Sequence, residues 1–488
     1  MLNFCRRTLA GKQTTKQTAQ PKVPASSDQV GNTTTVQRAA GASVLPNVKR
    51  FTRDQHSISR KQISPNALKV LYRLKDAGYD AYLVGGCIRD LLLGQQPKDF
   101  DIATNAHPEQ IKQVFRNCRL IGRRFRLAHI MFGREIIEVA TFRGHHSGAD
   151  DDEEVAPKHK TASLSDKGQI LRDNVYGSIE EDAERRDFTI NALYYSVNDF
   201  AVYDFANGVE AIKQRKIELI GDPETRYRED PVRILRAIRF ATKLNMHIAP
   251  DTAAPISQLA VMLKEVPAPR LFDELVKMFL AGKAFDNFML MREMRVLRQL
   301  LPLLDKTLNQ EPEGKAFLLA TKALQSTDAR IAENKPVTPA FIFAALLWYP
   351  IEIRSQSLMI DSGLNELDAL NIAITDILAE VQRTIAIPKR FSLTMRDIWL
   401  LQHRLTKRAG RRAYKLLEHP KFRAGFDFLQ LRAEAEAGDL TELSLWWERF
   451  QFANEGEKNI LMQQIAKAGG SKKPARRKSY KRKPSVEK

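Results

Sequence analysis

With 488 residues, 43% of them apolar, the chain has material for about two or three domains with real cores. No apolar run is long enough to span a bilayer, Phe341–Trp348 reading as a short buried helix. Three cysteines without paired spacing (Cys5, Cys87, Cys118) argue against a disulfide framework or a zinc site and for a reducing, cytoplasmic compartment, while a formal net charge of +19 calls for a polyanionic partner, nucleic acid or an anionic membrane face.

Residues Met1–Arg60 are rich in Ser, Thr and Gln, basic and almost free of acid. They lack the apolar core of a secretory signal. The composition would also fit an organellar transit peptide, but the reading adopted is a disordered extension over residues 1–62. Order is expected from Ser64, with Pro65 opening an amphipathic helix that runs to about Ala77. Strand-like runs at Ala81–Val84, Asp99–Ala103, His129–Phe132 and Glu135–Thr141, with a helix at Pro108–Phe115, predict a small α/β sheet whose last two strands turn about Gly133-Arg134.

The first chemical block lies in this sheet. Gly85 and Gly86 stand at a strand-to-helix junction, where backbone N–H groups can approach a phosphate and the helix start adds favourable partial charge. Arg89, within the first helical turn, can offer a guanidinium fork to phosphate oxygens. Asp99 and Asp101, two apart on a strand, share a face and can both hold a divalent metal. An Asp-x-Asp pair alone is weak evidence, but the Gly-Gly-x-x-Arg-Asp run upstream makes it specific. Together they are equipment for nucleotidyl transfer: one Mg2+ to lower the pKa of an attacking RNA 3′-hydroxyl, a second to bridge the triphosphate. Oxygen ligands suit Mn2+ as well. A third carboxylate is expected, and Glu138 and Asp182 both qualify.

Gly144–Tyr176 reads as a solvated loop carrying the pair His145-His146, to which no metal role is given, and the acidic run Asp150–Glu154. A helix follows from Ile179, then a closing strand pair at Tyr194–Val197 and Val202–Asp204. In the second block, Glu180–Ala192, the residues Arg185, Arg186, Asp187 and Asn191 fall within about two helical turns and could hold a triphosphate and read a ribose hydroxyl. In the third, Arg228–Ala241, Asp230 caps a helix with Pro231 at its first position. Arg233 and Arg236 share a face of that helix, and a carboxylate held beside a guanidinium can match a base edge. From there the chain is helical through Pro231–Leu244, Ala268–Ala281, Ala284–Met294 and on to Ile465, with no internal repeat. Gly469–Lys488 is low-complexity and basic: Lys472, Lys473, Arg476, Arg477, Lys478, Lys481, Arg482 and Lys483 crowd it, a sequence-independent and salt-sensitive grip for RNA.

These blocks resemble the class II nucleotidyltransferases, the family of bacterial poly(A) polymerases and tRNA CCA-adding enzymes. Leu83–Thr104 matches the family's catalytic block, Glu181–Ala192 its ribose/phosphate block and Glu229–Arg233 its nucleobase block. The resemblance implies nucleotide and metal binding by Gly86, Arg89, Asp99 and Asp101, base selection by Asp230 and Arg233, and further nucleotide contacts from Arg186 and Arg236. It implies an α+β layout: a sheet head over 63–215, a helical neck over 216–285, a helical RNA-binding body over 286–466 and a disordered basic tail from 467 to 488. Arg116–His129, Glu135–His146 and Lys389–Gln451 look like the poly(A) polymerase branch, and the last stretch interleaves cations with Phe, Tyr and Trp as backbone binding with stacking would want. The expected activity is template-independent addition of AMP from ATP to RNA 3′ ends, marking RNAs for decay, with RNA-decay or RNA-chaperone proteins as partners and no membrane insertion. CCA addition to tRNA is the rival within the family, and a catalytically idle RNA-binding protein is the rival outside it.

Overall fold

The computed structural model describes residues 48–122, 126–144, 162–164, 170–173 and 175–469; the basic tail from Lys472, the acidic run Asp150–Glu154 and His145-His146 lie outside them. The head is built on eight strands, β1 (Lys49–Phe51), β2 (Ala81–Val84), β3 (Asp101–Thr104), β4 (Cys118–Ile121), β5 (Leu127–Phe132), β6 (Glu135–Thr141), β7 (Leu193–Ser196) and β8 (Val202–Asp204). They form one mixed sheet in the order β1-β8-β7-β2-β3-β6-β5-β4, in which only β3 and β6 run parallel. A small hairpin pairs Ala162–Leu164 with Ile170–Asp173.

Order begins earlier than Ser64. Lys49–Phe51 pairs with β8, Arg50 bonds Asp199 at 2.8 Å, and Ile58 is fully buried, so 48–62 belongs to the head and not to a disordered extension. The signal was invisible locally because β1 is only three residues long and its partner lies about 150 positions away in sequence. The helix α1 (Pro65–Asp76) starts as expected: Ser64 Oγ accepts from Asn66 N, Pro65 needs no N–H partner, and Ala67, Val70, Leu71 and Leu74 bury one stripe. After β2 come α2 (Gly86–Leu92), α3 (Pro108–Val114), α4 (Ile179–Glu184) and α5 (Gly208–Lys213).

Asp99 lies just before β3 and not on it. The β2–β3 ladder ends at the pair Val84–Asp101, because β2 gives way there to the Gly85 turn and leaves Asp99 without a strand partner.

Beyond the head, α6 (Pro223–Glu229), α7 (Val232–Leu244) and α8 (Ala268–Phe279) lead into a wholly helical body. One apolar core runs from Leu83 and Ile102 in the sheet through Ile238 and Leu275 to Phe343 and Trp399, and a second gathers Leu405, Phe422, Trp446, Trp447 and Phe450. Most aromatics of Lys389–Gln451, all three tryptophans included, are therefore core and not a stacking platform: Trp399 Nε1 donates to Ala344 O at 3.0 Å and Trp447 Nε1 to Leu405 O at 2.9 Å, both deeply buried. Interleaved cations and rings at helical spacing are what an amphipathic helix needs, rings inward and cations outward. Among the described residues no helix is long and apolar enough to cross a membrane.

Candidate active site

The site assembles where β2 ends. Gly85 has φ 75° and ψ −126°, a backbone that strongly favours glycine, and its N–H donates to Leu193 O at 3.1 Å. A Cβ there would lie 3.4 Å from Arg186 Nη1, so the turn also makes room for that guanidinium.

Asp101 opens β3 between two neighbours: Val84 on β2, and Glu138 on the parallel strand β6. Its side chain is open to the cleft, yet crowding by the surrounding walls and the carboxylates of Glu138 and Asp99 push its pKa up to about 6, against the pull of Arg186. Beneath it the buried Cys87 thiol donates to Val84 O, and burial and Asp101 push that thiol up to about 12. Glu138 faces His129 across the hairpin, Oε1 lying 3.2 Å from Nε2. Carboxylates crowded round Asp101 in this way suit a hard divalent cation with oxygen ligands. Among the described residues no three His, Cys, Asp or Glu side chains gather as a closed metal cage, so water or substrate oxygens would complete the coordination of such a cation, as is usual for magnesium.

Asp182 and Arg186 lie on and just after α4. Asp182 is buried and held by three hydrogen bonds: Oδ1 accepts from Arg143 N at 3.2 Å, and Oδ2 from Tyr194 OH at 2.6 Å and Arg186 Nη2 at 2.9 Å. Sequence reading placed Asp182 among the catalytic acids; here its three hydrogen bonds tie it to Arg143, Arg186 and Tyr194, the contacts of a positioning residue. Arg186 also donates through Nε to Tyr194 OH at 2.8 Å, which leaves Nη1 beside the Gly85 turn. Burial works against its charge, but Tyr194 and Asp182 hold its pKa above the ordinary arginine value.

A second relay runs from α2 to α7. Arg89 is buried, its Nε and Nη2 on Asp90 Oδ1 at 2.8 and 2.6 Å and its Nη1 on Asn191 Oδ1 at 2.8 Å. The expected phosphate fork is thus an internal brace. Asn191 Nδ2 donates to Asp187 Oδ1 at 3.0 Å, and Arg236 Nε donates to Asp187 Oδ2 at 2.6 Å. Burial would raise the Asp187 carboxyl, but Arg236 and these hydrogen bonds bring it down to about 2. The Phe240 ring packs inside the relay, with the guanidiniums of Arg89, Arg236 and Arg239 at 5.2, 5.3 and 4.7 Å.

The third block is wired equally tightly. Arg233 Nη1 donates to Glu229 Oε2 at 2.8 Å and to Arg226 O at 2.6 Å, while Arg226 Nη2 donates to the carbonyls of Arg185 and Arg186 at 2.8 Å each. Asp230 Oδ1 accepts from Val232 N at 3.3 Å, although Pro231 and not Asp230 takes the N-cap place of α7, and both its oxygens accept from the Arg270 fork on α8. Burial would raise Asp230, but Arg270 and Arg233 hold it below its ordinary value. Next to this pair Arg239 Nε donates to Glu274 Oε1 at 2.6 Å. Hydrogen bonds thus join Arg89, Asn191, Asp187 and Arg236 in one network, and Arg226 links Arg233 to the carbonyls of Arg185 and Arg186 beside the Gly85 turn. Sequence reading missed Tyr194, Arg226, Arg270 and Glu274; the last two, four apart and of opposite sign on one helix, carry no local sign that their partners are Asp230 and Arg239.

Residues 81–218 match the family described as "Poly A polymerase head domain", 245–308 "Probable RNA and SrmB- binding site of polymerase A" and 362–483 "Polymerase A arginine-rich C-terminus". The poly(A) polymerase I of Salmonella typhimurium is 50% identical over 446 residues, 91% of this chain and 94% of that protein. A CCA-adding enzyme of Lactobacillus helveticus is 37% identical over 226 residues, 46% of this chain and 52% of that protein. The Bacillus stearothermophilus CCA-adding enzyme, solved with CTP, shares the fold at 24% identity and TM-score 0.52, covering 85% of this chain and 89% of that one. With two thirds and more of both chains aligned at half identity, this chain belongs to the poly(A) polymerase I family.

Proposed function

We propose that the protein adds AMP from ATP to the 3′ ends of many RNAs without a template, releasing pyrophosphate, and so marks those RNAs for decay. The observation that carries the choice of ATP is the wiring of the third block. Asp230 is locked by the Arg270 fork, and Arg233 by Glu229 and a backbone carbonyl. An enzyme that must take CTP and then ATP needs these side chains to change partners, whereas a braced pair suits one base. The reach of the likeness agrees, since the poly(A) polymerase match extends through the helical half and the CCA match covers 46% of the chain.

In this reading Asp99 and Asp101 hold the divalent metal, magnesium first and manganese as the alternative, with Glu138 as third carboxylate. When bound, the metal would lower the pKa of the 3′-hydroxyl and neutralise charge on the departing pyrophosphate. Arg186 Nη1, freed by the Asp182–Tyr194 clamp, holds triphosphate oxygens at the Gly85 turn. Arg236, fixed by Asp187, and the Asn191 amide position the ribose and phosphates, with Arg185 adding charge nearby. The head would span 48–215, the neck 216–285 and the body 286–466, with the basic tail adding RNA affinity. Protein partners of the RNA-decay or RNA-chaperone class would meet 245–308. Cys87 and Cys118 are both free thiols, in keeping with a reducing cytoplasm.

The deciding experiment offers ATP or CTP with a generic RNA oligomer. AMP addition to a non-tRNA primer is expected. Efficient CMP incorporation, or refusal of every RNA but tRNA, would move the protein to the CCA-adding branch.

A further inference from the structure

The helix Lys389–Leu405 ends in the turn Thr406–Gly410, and the short helix Arg411–Leu417 follows. Six cations fall in twelve residues: Arg404, Lys407, Arg408, Arg411, Arg412 and Lys415. Five of them are exposed, and among the described residues none of the five makes a side-chain hydrogen bond or ion pair. Arg411 and Lys415 stand four apart on one helix, an arrangement of like charges that costs a few tenths of a kcal/mol.

Arg408 is the inner member. Its guanidinium lies 5.5 Å from the centre of the Trp446 ring, and Nε and Nη1 are enclosed without a hydrogen-bond partner. The nearest carboxylate oxygen, on Glu442, is 3.7 Å away on a side chain 80% exposed. That distance is too long for a hydrogen bond, and a carboxylate so open to water cancels little charge. The ring fixes the turn against the second apolar core, through Trp446, Trp447 and Phe450. A cationic turn with little compensating charge, set on buried tryptophans, can bind phosphates but does not offer Trp446 or Trp447 for base stacking.

We propose that the turn Arg404–Lys415 is a phosphodiester-binding site that grips the RNA backbone upstream of the growing 3′ end, separately from the C-terminal tail. This rests on the reading of the protein as an RNA 3′-end polymerase. The favoured ligand is a single-stranded polyphosphate backbone, because the charges are spread along a turn and do not converge on one point as they would for an isolated anion. Binding is non-specific in sequence and falls steeply with salt.

The test uses the full chain carrying K407Q, R411Q and R412Q together, with RNA affinity measured across a salt series. At low salt the affinity should fall about tenfold or more, and the log–log salt slope should become shallower by about 2, at ~0.7 per phosphate contact on a single strand. The charge-conserving triple K407R, R411K and R412K should recover both. In extension assays the KM for RNA should rise while the KM for ATP holds. Should the glutamine triple melt early, R411Q alone decides, with a slope change of about 0.7. Parent-like affinity and slope in the glutamine variants would overturn the site. Failure of the parent protein to extend any RNA with ATP would instead remove the polymerase reading, and the binding series would still judge the turn.

Discussion

Arg270 closes a two-armed ion pair on Asp230, Nη1 to Oδ1 at 2.8 Å and Nη2 to Oδ2 at 2.7 Å, and so ties the segment proposed to select the base to a helix 40 residues downstream. The pairing is planar and bidentate, which lysine cannot reproduce. Arg270→Lys should therefore fold normally but loosen Asp230, and with it the choice of base. The ratio of kcat/KM for ATP over CTP is expected to fall about tenfold to a hundredfold, the equivalent of one buried group losing its partner. An unchanged ratio would separate Arg270 from nucleotide selection.

The three acids near the cleft should separate by kinetics. Asp101→Asn is expected to cost at least about a thousandfold in kcat, since it removes charge where phosphoryl transfer needs it. Glu138→Gln should lower kcat and raise the metal concentration needed for half-activity. Asp182→Asn should act through Arg186 and Tyr194, raising the KM for ATP and lowering the melting temperature, with a smaller effect on metal dependence. Equal metal sensitivity of the Glu138 and Asp182 variants would return Asp182 to the catalytic set.

Gly85→Ala tests the turn. The left-handed backbone there costs about 1–3 kcal/mol for any residue with a Cβ. The new methyl would also come into contact with Arg186 Nη1, 3.4 Å away. A raised KM for ATP together with a lowered melting temperature is expected; a loss of stability with an unchanged KM would limit Gly85 to a folding role.

The pKa of Asp101, near 6 in the folded chain against an ordinary 3.8, sets a pH signature. A carboxyl whose folded pKa is raised binds protons more readily in the native state, so stability falls as pH rises from about 4 through 6. In metal-free protein at pH 7.5, Asp101→Asn should be more stable than the parent by about 1 kcal/mol, a figure reduced for the openness of the side chain to water. The gap should close at pH 4 and shrink when divalent metal is added. Thermal melts at the two pH values, with and without magnesium, check the sign.

What was legible in the sequence was whatever had a local pattern. Ser64-Pro65 announces α1, the diglycine and Asp-x-Asp blocks announce β2, α2 and β3, and Asp230-Pro231 announces α7. The misses all turn on distant partners. Lys49–Phe51 becomes a strand only against β8, Arg89 becomes a brace only when Asn191 meets it, and Asp182 is clamped only because Tyr194 and Arg143 close over it. Trp446 and Trp447 show the reverse error: rings among arginines looked like an RNA platform, but helical spacing turns them into the core. Charge and motif spacing survive in one dimension, whereas hydrogen-bond saturation exists only in three.

The tail should behave differently from the turn at Arg404–Lys415. Its eight cations, Lys472, Lys473, Arg476, Arg477, Lys478, Lys481, Arg482 and Lys483, follow the last helix within a stretch that has almost no apolar residue to anchor it. Such a segment contributes through charge density alone, each contact releasing about 0.7 of a counterion from single-stranded RNA. Replacing all eight with glutamine in the full chain should flatten the salt dependence by up to about 5 and weaken binding at low salt, while the melting temperature stays at the parent value. If the tail and the turn grip different phosphates, combining the two sets of substitutions should add their slope changes. A combined slope no shallower than that of the tail variant alone would place both on the same stretch of RNA.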